Sequence, residues 1–208
     1  MTHAASLFTL ALALAGCSTQ TTSPEPGAQT PAPAATAPAG AAVVTGTTAP
    51  RAIVTLAPEV ARDVAAPDQA AVMDQFGLQF LPALVAVRAG QRVEFRNGED
   101  VPHNVRVDNT ETKAPVFNVA TTPFESYTHV FDTPGYYSVS CDVHPAMRAN
   151  IFVAAEPYVA VADDRGAFTV RDLEPGPYRV QVVGGTTPHE QVVQVRAPKT
   201  ELTLTSSR

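Results

Sequence analysis

The run Cys141-Asp142-Val143-His144-Pro145-Ala146-Met147 puts a thiol, an imidazole and a thioether on one short stretch of chain. A second imidazole stands far upstream, in Pro102-His103-Asn104-Val105. A fold that uses all four groups must bring one tight loop against a distant strand end, as the end of a β-sandwich does. Two histidines and a cysteine in a trigonal set, with a methionine at longer range, form a donor set suited to copper. The donors are His103, Cys141, His144 and Met147.

The rest of the middle of the chain reads as β. Short alternating segments rich in Val, Phe and Tyr, bounded by Gly, Pro, Asn and Asp, predict strands at Leu84–Val87, Arg92–Arg96, Asn104–Val107, Tyr127–Phe131, Tyr136–Ser140 and Asn150–Val153. Only residues 57–76 hint at helix, through Ala57, Ala61, Ala65 and Ala66, and Pro67 stands against it. The fold class expected is all-β.

The ligand spacing resembles that of the cupredoxins, the blue type 1 copper family, in its plastocyanin/amicyanin-like form. The resemblance covers residues 70–155. It takes in Ala89-Gly90-Gln91-Arg92-Val93-Glu94-Phe95-Arg96-Asn97, which leads toward His103, and Phe131-Asp132-Thr133-Pro134-Gly135-Tyr136-Tyr137, which leads toward Cys141. The resemblance implies a Greek-key β-sandwich holding one type 1 copper and acting as a one-electron carrier for a redox protein partner. It also implies that Asn104 steadies the copper loop and offers its backbone N–H to the Cys141 sulfur. Asp142 stands where the family has Ser or Thr. That departure removes the hydroxyl of the usual loop-to-loop hydrogen bond and adds a negative charge that favours Cu(II).

The chain has two cysteines, Cys17 and Cys141. An apolar run ends in Leu14-Ala15-Gly16-Cys17, too short for the ~20 residues of a membrane-spanning helix, and it resembles the lipobox of bacterial lipoproteins. That resemblance implies a signal peptide over residues 1–16, a lipid on Cys17 and a site in the bacterial cell envelope, held to the membrane by the lipid. Cys141 then has no intramolecular partner in an oxidising compartment, and metal ligation gives its thiol a stable role. Residues 17–50, rich in Ala, Thr and Pro and without an aromatic residue, read as a disordered linker.

Residues 156–208 form a second module. Tyr158–Ala162, Ala167–Val170, Asp172–Val180, Gln191–Val195 and Glu201–Thr205 carry its predicted strands and turns. The phrases Gly166-Ala167-Phe168-Thr169-Val170 and Pro175-Gly176-Pro177-Tyr178-Arg179-Val180 resemble the carboxypeptidase-regulatory-like, transthyretin-like β-sandwich. So short a module has a marginal core by itself, so it is expected to borrow strands from residues 43–56 or to pack on the first domain. His129 and His189 read as solvent-facing, the latter in a loop, and Met73 as core.

A formal net charge of −6 gives no basic face for nucleic acid, and no nucleophile motif frames a serine, so no enzyme is expected. Two other roles stay open beside the electron carrier. One is copper delivery or buffering without redox traffic, and the other is an envelope-binding structural module.

Overall fold

The computed structural model describes residues 41–183 and 189–204. Among the described residues every regular element is a strand. In chain order these are β1 (Ala42–Thr47), β2 (Ile53–Pro58), β3 (Ala71–Gln75), β4 (Phe80–Leu81), β5 (Leu84–Arg88), β6 (Gln91–Asn97), β7 (His103–Asn109) and β8 (Pro115–Thr121). There follow β9 (Ser126–Phe131), β10 (Gly135–Ser140), β11 (Arg148–Ala154), β12 (Tyr158–Val161), β13 (Ala167–Leu173), β14 (Gly176–Val183), β15 (His189–Val195) and β16 (Lys199–Thr203).

The strands make two sandwiches. In the first, a five-stranded sheet in the order β5-β11-β10-β7-β8 faces a four-stranded sheet in the order β4-β3-β6-β9. Period-two alternation drives the packing: Val93 and Phe95 of β6 point inward while Arg92 and Arg96 point out. The core between the sheets includes Met73, Phe80, Phe131, Tyr137 and Ile151, together with Cys141 and Met147. The last two lie at one end of the sandwich, where β10 stops at Ser140 and β11 begins at Arg148.

The second sandwich pairs a sheet β13-β1-β16 with a sheet β12-β2-β14-β15. The segment before the first sandwich thus supplies two strands to the second, with β1 antiparallel to β13 and parallel to β16, and β2 between β12 and β14. Ala42, Val44, Val54 and Leu56 enter its core beside Phe168, Leu173, Tyr178 and Val180.

The two sandwiches share an apolar seam. Along β11, Ile151 and Val153 face the first core, while Phe152 and Ala154 are buried on the opposite face against Ile53. Leu84, Ala86, Val159, Val161 and Val183 close around them. A strand covered on both faces loses the usual alternation of exposure, and Ile151–Ala154 is buried at every position. Burying a phenylalanine contributes about 1.5–3 kcal/mol, so Phe152 ties the two cores together appreciably.

Several expectations need correction. Residues 57–76 form no helix, since β2 ends at Pro58 and β3 begins at Ala71. Between them the backbone carbonyls of Val64 and Ala65 accept from the Arg88 guanidinium and that of Asp68 from Arg92, so side chains take the place of helical N–H donors. The stretch read as linker as far as residue 50 contains β1, because Ala42 and Val44 give it a face to bury. β3, β4 and β8 were not expected. Of the described residues in Glu201–Thr205, the strand holds those to Thr203.

His129 is only partly solvent-facing. It packs against Phe117 and Phe131, with ring centroids 4.7 and 4.8 Å away, and burial holds its pKa below 6.5 against the opposing pull of Asp132. His189 opens β15 opposite Val182 instead of lying in a loop, and it is half-buried. Met73 is fully buried in the first core. The expected signal peptide, Cys17 and most of the expected linker lie outside the described residues.

Candidate metal centre

Register brings the donors together. β7 and β10 pair antiparallel, with Val107 opposite Val139 and Arg106 opposite Ser140. The chain therefore delivers Cys141, one step past β10, to the segment where β7 begins at His103. The entry to β7 is held by buried Asn97, whose side-chain N–H groups reach the carbonyls of Val101 (2.8 Å) and Thr121 (3.0 Å). On the other side, the Cys141 N–H donates to the Met147 carbonyl (3.3 Å) and the Met147 N–H to the His144 carbonyl (2.9 Å). These two bonds close the loop on itself.

The side chains of His103, Cys141 and His144 place one donor atom each within 4.8 Å of one another. Nδ1 of His103 lies 3.0 Å from Nδ1 of His144, and the Cys141 sulfur lies 3.9 and 3.8 Å from them. A point inside that triangle is about 2 Å from all three corners, the range in which first-row metal ions bind nitrogen and sulfur. A soft thiolate with two imidazoles also fits copper in donor chemistry. Cys141 and His103 are buried, with 1% and 2% of their surfaces exposed, and His144 is half-buried at the solvent edge. Met147 is buried in the same core cluster as Cys141, at the far end of the loop.

Glu99 fixes which nitrogen of His103 faces the site. Its carboxylate lies 2.7 Å from His103 Nε2 and can only accept, so Nε2 carries the proton and Nδ1 presents its lone pair to Cys141 and His144. Burial works to raise the Glu99 carboxyl, but bonds from His103, Leu78 and Gly77 outweigh it and hold the pKa below the usual value. The Gly77 and Leu78 N–H groups donate to the same carboxylate at 3.1 and 3.2 Å. Gly77 and Leu78 both have positive φ, and Phe76 and Gln79 exchange backbone hydrogen bonds across them, which makes a type I′ turn. Glu99 thus welds the β3–β4 turn to the metal-facing histidine. The sequence reading missed Glu99. Its one signal was an acid four residues before His103, a pairing that strand and loop geometry alone does not announce.

Asn104 does bind the copper loop, but through its side chain. Oδ1 accepts from the Asp142 N–H at 2.7 Å and lies 3.3 Å from the Cys141 sulfur. The loop-to-loop bond therefore survives without a hydroxyl at 142, because the backbone N–H of that residue supplies the donor. The Asp142 carboxylate accepts from Asn104 Nδ2 (3.2 Å) and Asn118 Nδ2 (2.8 Å). Asn118 also went unread, because β8 did.

The pattern that defines copper-binding proteins of the plastocyanin/azurin family matches residues 68–154. Amicyanin of Paracoccus versutus is 32% identical over 97 residues, spanning 46% of this chain and 72% of that protein. Chloroplastic plastocyanin of Tetradesmus obliquus is 37% identical over 78 residues, 34% of this chain; the match spans only 54% of that relative's length. The crystal structure of the Paracoccus versutus amicyanin aligns at 27% identity and a TM-score of 0.38, over 48% of this chain and 98% of its own.

Removing the carboxylate that orients His103 should weaken metal binding. Glu99→Gln should lower copper affinity ~10-fold or more, the usual effect of losing an outer partner of a metal-binding histidine. Competition against a chelator of known affinity measures it, and unchanged affinity would deny Glu99 this role.

Proposed function

This chain belongs to the plastocyanin/azurin family of copper-binding proteins, and from that premise we propose that it is a one-electron carrier of the cell envelope. The observation that carries the reading is the triangle of His103, Cys141 and His144 donors, two buried and one half-buried, spanned within 4.8 Å. Copper held there would supply a one-electron couple between Cu(I) and Cu(II). His103 and Cys141 would hold it from the core side, His144 from the solvent edge, and the buried Met147 thioether would be the weaker, softer donor. The residues around them resist rearrangement: Asn97 pins the loop before β7, the Cys141–Met147 loop is closed by its own backbone bonds, and Glu99 locks one imidazole. A rigid set lowers the structural cost of changing oxidation state. A delivery or buffering protein needs donors that an acceptor can reach, and burial of Cys141 and His103 speaks for the carrier.

Electrons would pass at the His144 edge. Pro102, Pro145 and Ala146 are exposed around it, and Val143 is 57% exposed, which gives a redox partner an apolar surface to dock on. Phe76 and Leu78, exposed on the turn that Glu99 holds, extend the apolar surface at this end of the sandwich. Support for the envelope comes from the sequence alone: Leu14-Ala15-Gly16-Cys17 would carry the lipid that tethers the domain to a membrane. The second sandwich would act as a rigid support, packed on the back of the five-stranded sheet through Phe152.

Three outcomes are expected. The oxidised protein should bind one copper and show an intense visible band from the Cys141 thiolate, absent in Cys141→Ser. A colourless Cu(II) protein, or a band that outlives the substitution, contradicts the site. Val143→Glu should slow electron self-exchange ~10-fold or more by setting like charges against each other at the docking face, leaving the visible band in place; an unchanged rate removes Val143 from that face. Mass spectrometry of the mature N-terminus should find it at Cys17 with lipid attached, and an unmodified terminus elsewhere rules the anchor out.

A further inference from the structure

We propose that Asp142 and Asn118 form a clamp that fixes the orientation of the Asn104 amide and so tunes the redox potential of the metal site, an inference that rests on the copper reading above. The side chain of Asn104 has two unlike ends, an acceptor and a donor. Its Oδ1 takes the Asp142 N–H at 2.7 Å, stands 3.4 Å from the Val143 N–H and faces the Cys141 sulfur. Its Nδ2 donates to Asn118 Oδ1 at 2.7 Å and to Asp142 Oδ2 at 3.2 Å. Asn118 closes the ring by donating its own Nδ2 to the same carboxylate oxygen at 2.8 Å. Three side chains from β7, β8 and the metal-binding loop thus satisfy one another.

The carboxylate is what makes this ring one-directional. It can only accept, so both amides must turn their NH2 groups toward it. A hydroxyl at position 142 can donate or accept, which would leave the Asn104 amide held by the Asp142 and Val143 N–H groups alone and lower the cost of turning it. The turned amide would aim Nδ2 at the Cys141 sulfur. A donor there would stabilise thiolate charge and weaken its donation to the metal, which raises the potential. By reinforcing the hold of the backbone N–H groups on Oδ1, the clamp keeps that oxygen toward the sulfur, leaves the thiolate electron-rich and favours Cu(II).

The negative charge of Asp142 acts in the same direction, so the two effects must be separated. The Asp142 side chain is 49% exposed, and Arg106 stands 3.8 Å from its Oδ1 at the same exposed rim. Solvent and this cation screen the charge. Orientation of a buried amide is not screened. Asn118 makes the separation clean, because it lies across β7 from the loop, opposite Arg106 in register, and carries no charge. Its removal breaks the clamp without changing the charge.

The experiment compares wild type, Asn118→Ala, Asp142→Asn and the double variant. Voltammetry of the copper-loaded proteins gives the potential, and NMR of the metal-free proteins gives hydrogen exchange of the Asn104 side-chain NH2. Both single variants should raise the potential, and the double variant should raise it by less than their sum because they break one ring. Exchange of the Asn104 NH2 should speed up ~10-fold or more in each. A raised potential in Asp142→Asn with no change in Asn118→Ala, in either readout, overturns the clamp and leaves a bare charge effect. Asn118→Ser, which shortens the side chain while keeping a polar group, replaces Asn118→Ala if the latter does not fold. If wild type takes up no copper, the functional reading fails, and exchange in the metal-free protein still decides the clamp.

Discussion

The antiparallel register of β7 against β10 is the constraint on which everything else depends. With Val107 opposite Val139 and Arg106 opposite Ser140, both strands present their valines to the core and reach the same end of the sandwich together. A slip of one residue would turn every side chain of β10 to the opposite face. Cys141 would then leave the core and the donor triangle would open. The register is held by what is buried: Val105, Val107 and Val139 are fully covered, and Tyr137 anchors the strand through its hydroxyl, which donates to the Thr133 carbonyl at 2.7 Å. The meeting of the donors is therefore a consequence of core packing.

Rigidity is then added from outside the five-stranded sheet. Glu99 joins the His103 ring to the β3–β4 turn, so the four-stranded sheet has a hold on a donor that belongs to the five-stranded one. Leu78 keeps a positive φ of 56° in that turn, a conformation that costs a bulky side chain energy and that two hydrogen bonds to Glu99 help to maintain. On the far side, the second sandwich covers Phe152 and Ala154 and stiffens β11, the strand that leaves the metal-binding loop. The loop is short, and its neighbours are fixed.

The donor set was legible in the sequence because copper chemistry allows few residue types and because three of them share one short run. The strands of the five-stranded sheet that carry the site were legible too, since Val and Tyr alternate with polar residues in β10 and the pattern is strong. Other parts were not. β8 reads Pro115-Val116-Phe117-Asn118-Val119-Ala120-Thr121, and its outward face mixes Val116, Asn118 and Ala120, so the alternation is blurred. β1 hides in an Ala/Thr-rich stretch where two valines are the whole signal. His129 read as exposed because its aromatic neighbour Phe117 comes from β8, the strand that went unseen. Glu99 and Asn118 act through contacts between elements, which local periodicity does not encode.

This scaffold would hold copper so that the metal changes oxidation state with little movement of the protein. Cyclic voltammetry of the purified, copper-loaded protein tests that claim most directly. A single reversible one-electron wave, with peak separation that stays small as scan rate rises, is the predicted result. Copper bound at one equivalent with no reversible wave would contradict it, and would return the His103, Cys141 and His144 set to a role in holding metal without moving electrons.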